Sequence, residues 1–367
     1  MQAAHAGPLL AAGTNHSCAV VGGAVQCWGY NRFGQLGDGT NTNASSAKPV
    51  TVVGISNAIA VATGSQHSCA LLSDGTVTCW GDRTANVFSE TALNASTPKP
   101  VAGVSNAKSI AAGTSHACAL LTTGAVQCWG SNSNGQLGDG TNTTSELAVA
   151  AVGITNAIGI TAGASHSCAT LSTGFGQCWG NNAYGQLGNG SNTSSAIPVS
   201  IVGLSGVASL VAGANHTCGV LTNGGLQCWG RNNNGQLGSS TNSNSTVPLL
   251  GTTDRTVPIA VADIENATAA AAGASHSCAV LASGAIKCWG LNSSGQLGNG
   301  ATADSTSSVT AVGISNAIAV VAGSSHTCAY LRTGSVQCWG ANGLGQVGIG
   351  TSTKFPNPTA VANLTGV

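Results

Sequence analysis

Charge is scarce in this sequence. Of 367 residues, ten are lysine or arginine and ten are aspartate or glutamate, so the formal net charge is zero. Binding nucleic acid by phosphate neutralisation needs clustered cations, and so few scattered ones form no stripe, which excludes that class of partner. Aromatic residues are also few, at 4%. No apolar run reaches the roughly 18 residues that a membrane-spanning helix needs, and no such span is expected. Helix is disfavoured more generally, because no stretch joins helical periodicity to good helix formers and 53 glycines punctuate the chain. The sequence reads without an export signal: Ala4-His5-Ala6 has the small-x-small form of a cleavage site, but no apolar segment precedes it, and it is only slight evidence for a trimmed one. Apolar content itself is ample, and 42% hydrophobic residues without net charge exclude disorder.

What is present is repetition. A Gly-x-x-His-x-Cys segment recurs with its histidine at His16, His67, His116, His166, His216, His276 and His326, at intervals of about 50 residues. Each copy continues into Cys-Trp-Gly, and all 14 cysteines and all 7 tryptophans belong to the pattern. Within one copy, Val50–Val53, Ala58–Val61, Cys69–Leu72 and Thr76–Cys79 are short apolar runs separated by Gly, Asn, Ser and Asp, and they read as four strands. Four strands repeated seven times predict an all-β, seven-bladed β-propeller with four-stranded blades, forming a single domain over residues 1–367. The phase of the repeat predicts more. The C-terminal Pro358–Val367 matches Pro49–Ala58 and Pro8–Gly13 matches Ile59–Gly64, so one blade is expected to be closed by N- and C-terminal strands together.

Turn length decides whether the paired cysteines meet. In the second repeat a three-residue turn, Ser73-Asp74-Gly75, places Leu71 opposite Val77, Ala70 opposite Thr78 and Cys69 opposite Cys79. In the first repeat the cysteines are one residue closer, but the turn Gly22-Gly23 is one residue shorter, so Cys18 still faces Cys27. The same reading pairs Cys118 with Cys128, Cys168 with Cys178, Cys218 with Cys228, Cys278 with Cys288 and Cys328 with Cys338. Facing cysteines on neighbouring strands lie at a distance a disulfide accepts. Seven such bonds imply an oxidising compartment, hence an extracellular, cell-surface or periplasmic location. Two alternatives stand beside this one, reduced core cysteines and a metal held by His67, Cys69 and Cys79 on one sheet face. Structural zinc prefers four ligands, and seven open three-ligand sites would be unusual, so no metal and no cofactor is expected. Each histidine is expected to bond backbone inside its own blade.

The motifs Gly-x-x-His-Ser-x-Ala-Leu and Trp-Gly-x-Asn-x-x-Gly-Gln-Leu-Gly resemble the regulator of chromosome condensation repeat. Gly-Gln-Leu-Gly stands at Gly34–Gly37, Gly135–Gly138, Gly185–Gly188, Gly235–Gly238 and Gly295–Gly298, with Gly345–Gly348 a near copy. The resemblance covers essentially the whole chain and implies a seven-bladed propeller. Its members include a chromatin-bound guanine-nucleotide exchange factor, a plant photoreceptor and a bacterial β-lactamase inhibitor, so the family does not settle function. This chain has no basic tail and no clustered tryptophans, and its paired cysteines depart from the nuclear members.

Recognition of one partner belongs at positions that break the repeat. The tips after Trp-Gly are expected to share one face, where Tyr30, Arg32, Phe33, Asp82, Arg83, Tyr184 and Arg231 stand among asparagines and serines. The second repeat lacks Gly-Gln-Leu-Gly and carries a remodelled loop at 81–97 that includes Phe88 and Glu90; the fifth carries an insertion near 247–256 that includes Asp254 and Arg255. These eleven residues are the candidate binding set. Catalysis finds little support, since Asp263 and Glu265 form the one close acidic pair and replace Gly54 and Ser56 of the second repeat. Gly-Asp-Gly-Thr-Asn at 37–41 and 138–142 reads as Asx turns before calcium loops. Asn-x-Ser/Thr sequons recur along the chain, Asn15 and Asn292 among them, and matter only in a secreted eukaryotic protein. The expected function is a non-catalytic secreted or cell-surface scaffold for a protein or glycan ligand. The alternatives are a structural or adhesive module of a larger surface protein and a guanine-nucleotide exchange factor.

Overall fold

The structure, a computed structural model, describes residues 9–41, 45–82, 94–239, 253–364 and 366–367. Among these, 28 strands and no helix are found, and the strands form seven antiparallel sheets of four. Blade 1 holds β1 (Leu10–Ala12), β2 (His16–Val21), β3 (Ala24–Gly29) and β4 (Ser46–Thr51), and blade 2 holds β5 (Ala58–Thr63), β6 (His67–Leu72), β7 (Val77–Asp82) and β8 (Asn94–Pro100). Blades 3 to 7 repeat this order and end on fourth strands Ser145–Ala150, Ser195–Ser200, Arg255–Ala260, Ser305–Thr310 and Phe355–Ala360. The first strand of each blade lines the axis, and the fourth is the outer edge. Every proline among the described residues, from Pro49 to Pro358, lies on a fourth strand. There its missing N–H takes nothing from the sheet and blunts an edge that could otherwise pair with another chain.

One feature of the expected closure is corrected. Among the described residues no sheet is shared between the chain ends: β1 pairs with β2 as Leu10↔Ala19 and Ala12↔Ser17, and Phe355–Ala360 completes the seventh blade on Val336–Gly340. The sequence match was sound, but the residues matched straddle the link from a fourth strand to the next first strand, which joins blades and belongs to neither. The ring closes by packing instead. Leu10, Ala19 and Trp28 of blade 1 bury against Cys328, Val336, Val361 and Leu364, and the Tyr330 hydroxyl donates to the Val367 carbonyl. No helix among the described residues is long and apolar enough to cross a membrane.

The seven expected disulfides are present, with Cα atoms 4.0 to 4.1 Å apart. Register follows turn length as expected: Leu71↔Val77 and Ala70↔Thr78 lead to Cys69↔Cys79, and Val20↔Val25 leads to Cys18↔Cys27. Gly75 at φ 79° and the pair Gly22 and Gly23 at 57° and 85° take the left-handed conformations these turns need. Each bond closes a short loop and contributes about 2.5 to 3 kcal/mol by restricting the unfolded chain. With every described sulfur so bonded, the proposed His–Cys–Cys metal set has no thiolate to offer.

Candidate binding face

Antiparallel order puts the turns between first and second strands, and the loops between third and fourth strands, at the same end of every sheet. That end is the candidate face. Its long loops are pinned from within. Asn31 Nδ2 donates to the Thr40 carbonyl (3.3 Å) while its Oδ1 accepts Leu36 N (3.0 Å), and Asn132, Asn182, Asn292 and Asn342 hold their own loops in the same way. Asn292 is fully buried in that role, so its sequon is not accessible in the folded protein. Asp38 and Asp139 accept from the backbone N and hydroxyl of Thr40 and Thr141, which makes the Gly-Asp-Gly-Thr segments Asx turns.

The Gly-Gln-Leu-Gly part of each loop turns inward and wedges between blades. The Gln35 carbonyl accepts both Trp80 Nε1 (2.9 Å) and Ser68 Oγ (2.9 Å) of the next blade. Gly37 must be glycine, because its φ is 70° and a Cβ there would lie 2.7 Å from Trp80 Nε1. Ser68 Oγ also meets His16 Nε2 of blade 1 at 2.8 Å. Since the serine proton goes to the carbonyl, the imidazole donates through Nε2–H, and its Nδ1 carries no proton. The histidines therefore bond a hydroxyl of the neighbouring blade, where sequence reasoning placed a backbone partner within the blade. The relay His to Ser or Thr to Gln carbonyl recurs at six junctions, including the closing one, where His326 meets Ser17 at 2.8 Å and Trp28 Nε1 reaches the Gln346 carbonyl at 2.9 Å.

The junction between blades 2 and 3 departs from this. Ala117 stands where the others have Ser or Thr, and the second repeat has no Gly-Gln-Leu-Gly. His67 Nε2 and Trp129 Nε1, both buried, have no hydrogen-bond partner among the described residues. Burial holds the seven repeat histidines neutral, with pKa values lowered from 6.5 to about 3 for His16, His116, His166 and His276 and to about 4 for His67, His216 and His326. These groups are architectural.

Surface recognition falls to the loop tips. Arg231, first after Trp-Gly in blade 5, lays its guanidinium 4.8 Å from the ring centroid of Tyr184 in blade 4. The same two positions one junction earlier hold Asn134 and Asn181, joined by a 2.9 Å amide hydrogen bond. Tyr30 and Phe33 meet edge to face at 6.1 Å, with the exposed Arg32 5.9 Å from the Phe33 centroid. Blade 1 lies three junctions from blade 4 and three from blade 5, so these two aromatic–guanidinium groups stand on opposite sides of the ring, and no single patch joins them. Asp82 is buried at the end of β7, opposite Asn94, so both ends of the expected 81–97 loop are strand. Asp254 Oδ1 accepts Asn232 N at 2.8 Å, the service Asp304 performs for Asn292 N, and Arg255 begins a fourth strand. Arg83, Phe88, Glu90 and residues 247–252 lie outside the described residues.

Two features escaped the sequence reading. At the centre of this face the axial channel opens into a cavity of about 190 Å³, lined by seven triplets around Gly13, Gly64, Gly113, Gly163, Gly213, Gly273 and Gly323. On the opposite end of blade 4, Phe175 is 53% exposed at a hairpin turn.

The chain matches the family model described as RCC1-like domain over residues 7–318, and the regulator of chromosome condensation (RCC1) repeat over 317–346. It is 37% identical over 62 residues to the secretion-regulating guanine nucleotide exchange factor of Bos taurus, a match spanning 17% of this chain and 13% of that protein. Among solved structures it is similar to Prp20p from Saccharomyces cerevisiae (TM-score 0.80, 23% identity, 94% of this chain and 87% of that one). It is also similar to human WBSCR16 (0.81, 20%, 93% and 94%) and to the ectodomain of the Physcomitrella patens receptor kinase CR4 (0.54, 21%, 91% and 73%).

Proposed function

The chain belongs to the RCC1-like domain family, and from that premise we propose that it is a non-catalytic binding scaffold outside the reducing cytosol, recognising a protein or glycan through its third-to-fourth-strand loops. The observation that carries the reading is the stacked Arg231–Tyr184 pair, which spans a blade junction on half-exposed tips where the equivalent positions one junction earlier hold two asparagines. Tyrosine and arginine are enriched among the residues that supply binding energy at interfaces: tyrosine buries a large area with few rotors lost, and an arginine already stacked on it has part of its ordering cost met before a partner arrives. The Tyr30–Arg32–Phe33 group offers a second anchor across the ring. Seven disulfides support a secreted, surface or periplasmic setting, and a receptor-kinase ectodomain shares the fold. The partner in this reading is a protein or a glycan, with no nucleic acid.

The test is a binding screen of the disulfide-intact protein against glycans and extracellular proteins, repeated with Arg231→Ala, Tyr184→Ala and Phe33→Ala. Loss of a hit by tenfold or more in any variant supports the reading. Hits that survive all three variants remove these tips as the site. A second reading, guanine-nucleotide exchange, is favoured by the short match to the bovine exchange factor; accelerated release of nucleotide from a small GTPase would establish it in place of the first.

A further inference from the structure

The axial cavity is ringed by backbone that has already satisfied itself. Thr14 N donates to the Gly64 carbonyl (3.2 Å), Ser65 N to Thr114 (3.3 Å), and so on through every blade until Ser324 N donates to Gly13 (3.2 Å). This belt leaves side chains to set the character of the opening, and they are not evenly distributed. Blades 7, 1, 2 and 3 contribute Ser324, Thr14, Ser65 and Thr114, whereas blades 4, 5 and 6 contribute Ala164, Ala214 and Ala274 at the same position. Half the rim is hydroxylated and half is methyl.

Thr63 adds a second, independent sign. It is the last residue of β5 and lines the cavity, at a position where the other six blades have alanine. It is 8% exposed, and its Oγ1 has no hydrogen-bond partner among the described residues. A buried hydroxyl without a partner costs about 1 to 3 kcal/mol, and a repeat that supplies alanine six times has an easy way to avoid it. No charged residue lines the cavity. A charged ligand would find no counter-ion there, whereas a neutral one needs none. The volume of about 190 Å³ equals that of about six waters at liquid density, the bulk of one small ring.

We propose that the axial opening is a binding site for a single neutral sugar ring, such as the terminal residue of a glycan. Its hydroxyls face the arc of Thr14, Ser65, Thr114 and Ser324, where the buried Thr63 hydroxyl turns to meet them, and its C–H face lies against Ala164, Ala214 and Ala274. This deepens the glycan branch of the proposed function and moves the specificity from the loop tips to the axis.

The experiment is saturation-transfer NMR and calorimetry with neutral monosaccharides, then with the uncharged glycans they terminate, on the disulfide-intact protein. The variants are Thr63→Ala, which installs the residue found in the other blades, and Ala214→Phe, which fills the apolar half. Saturation transfer to one sugar, weakened fivefold or more by Thr63→Ala, abolished by Ala214→Phe and unaffected by Phe175→Ala on the opposite end of the ring, is expected. Absence of any neutral-sugar signal overturns the proposal, as does a sugar bound equally by Thr63→Ala and wild type. If Ala214→Phe fails to fold, Thr63→Ala alone decides. Binding lost in Arg231→Ala but kept in Thr63→Ala refutes the axial site and leaves the loop-tip reading standing; the reverse result refutes the loop tips and leaves the axis.

Discussion

Mild acid should unfold this protein, and the seven buried histidines set the range. Their folded pKa values of about 3 to 4 lie below the ordinary 6.5, so between those limits the unfolded chain binds protons that the folded one refuses. Stability is therefore complete above about pH 7 and falls as the pH drops through 6.5 toward 4. Each histidine removes about 1.4 kcal/mol per pH unit in that window, or about 2 kcal/mol by pH 5. Independent sites would together remove about 14 kcal/mol, and coupling makes that an upper bound. Half of it still exceeds the lower end of the roughly 5 to 15 kcal/mol that folded domains possess. The assay is urea unfolding at pH 8, 7, 6 and 5 with the disulfides intact, read by tryptophan fluorescence. The midpoint should be level from pH 8 to 7 and drop steeply by pH 5. An unchanged midpoint at pH 5 would refute the claim that these imidazoles are buried and neutral. Asp74 does not confuse the result, because its carboxyl is lowered from 3.8 by hydrogen bonds from Thr76 and loses its contribution only below that value.

The six intact relays and the one broken relay predict opposite responses. Ser167→Ala strands the His116 Nε2–H and should lower unfolding free energy by about 1 to 3 kcal/mol, whereas Ala117→Ser gives His67 a partner and should raise it by about 1 kcal/mol, both measured by urea denaturation. Trp179→Phe removes a bond to the Gln136 carbonyl and should cost about 1 kcal/mol more than Trp129→Phe, whose indole N–H has no such partner among the described residues; equal losses would contradict the contrast. Replacing Cys168 and Cys178 together by alanine should destabilise by about 2 to 3 kcal/mol, and alkylation without reductant should label no cysteine in the wild type.

The blades and their cross-links were legible because both rest on local rules. Strand alternation has a period of two, and one residue added between Cys69 and Cys79 relative to Cys18 and Cys27 is absorbed by one residue added to the turn. The histidine partners were not legible, because Ser68 reaches His16 only through the angle between two blades. A signal existed all the same: Ser or Thr follows the histidine in six copies, and the exception, Ala117, comes directly after the repeat that lacks Gly-Gln-Leu-Gly. Ring closure was misread for a related reason, since periodicity fixes the length of a repeat but not where a blade begins. Tyr184 and Arg231 were singled out separately, and their stacking needed the structure. Asp254 looked like a protruding acid and is a loop anchor. Thr63, surrounded by small residues in sequence, carried almost no sign of its position on the axis.

Every disulfide lies within one hairpin, and none crosses from one blade to the next. Covalent stiffness thus resides in the spokes, while the joints between them rely on imidazole, indole and hydroxyl contacts. Oxidation can harden each spoke without locking the wheel, so slow breathing should take the form of rigid wedges tilting about soft hinges, the loosest lying between the second and third.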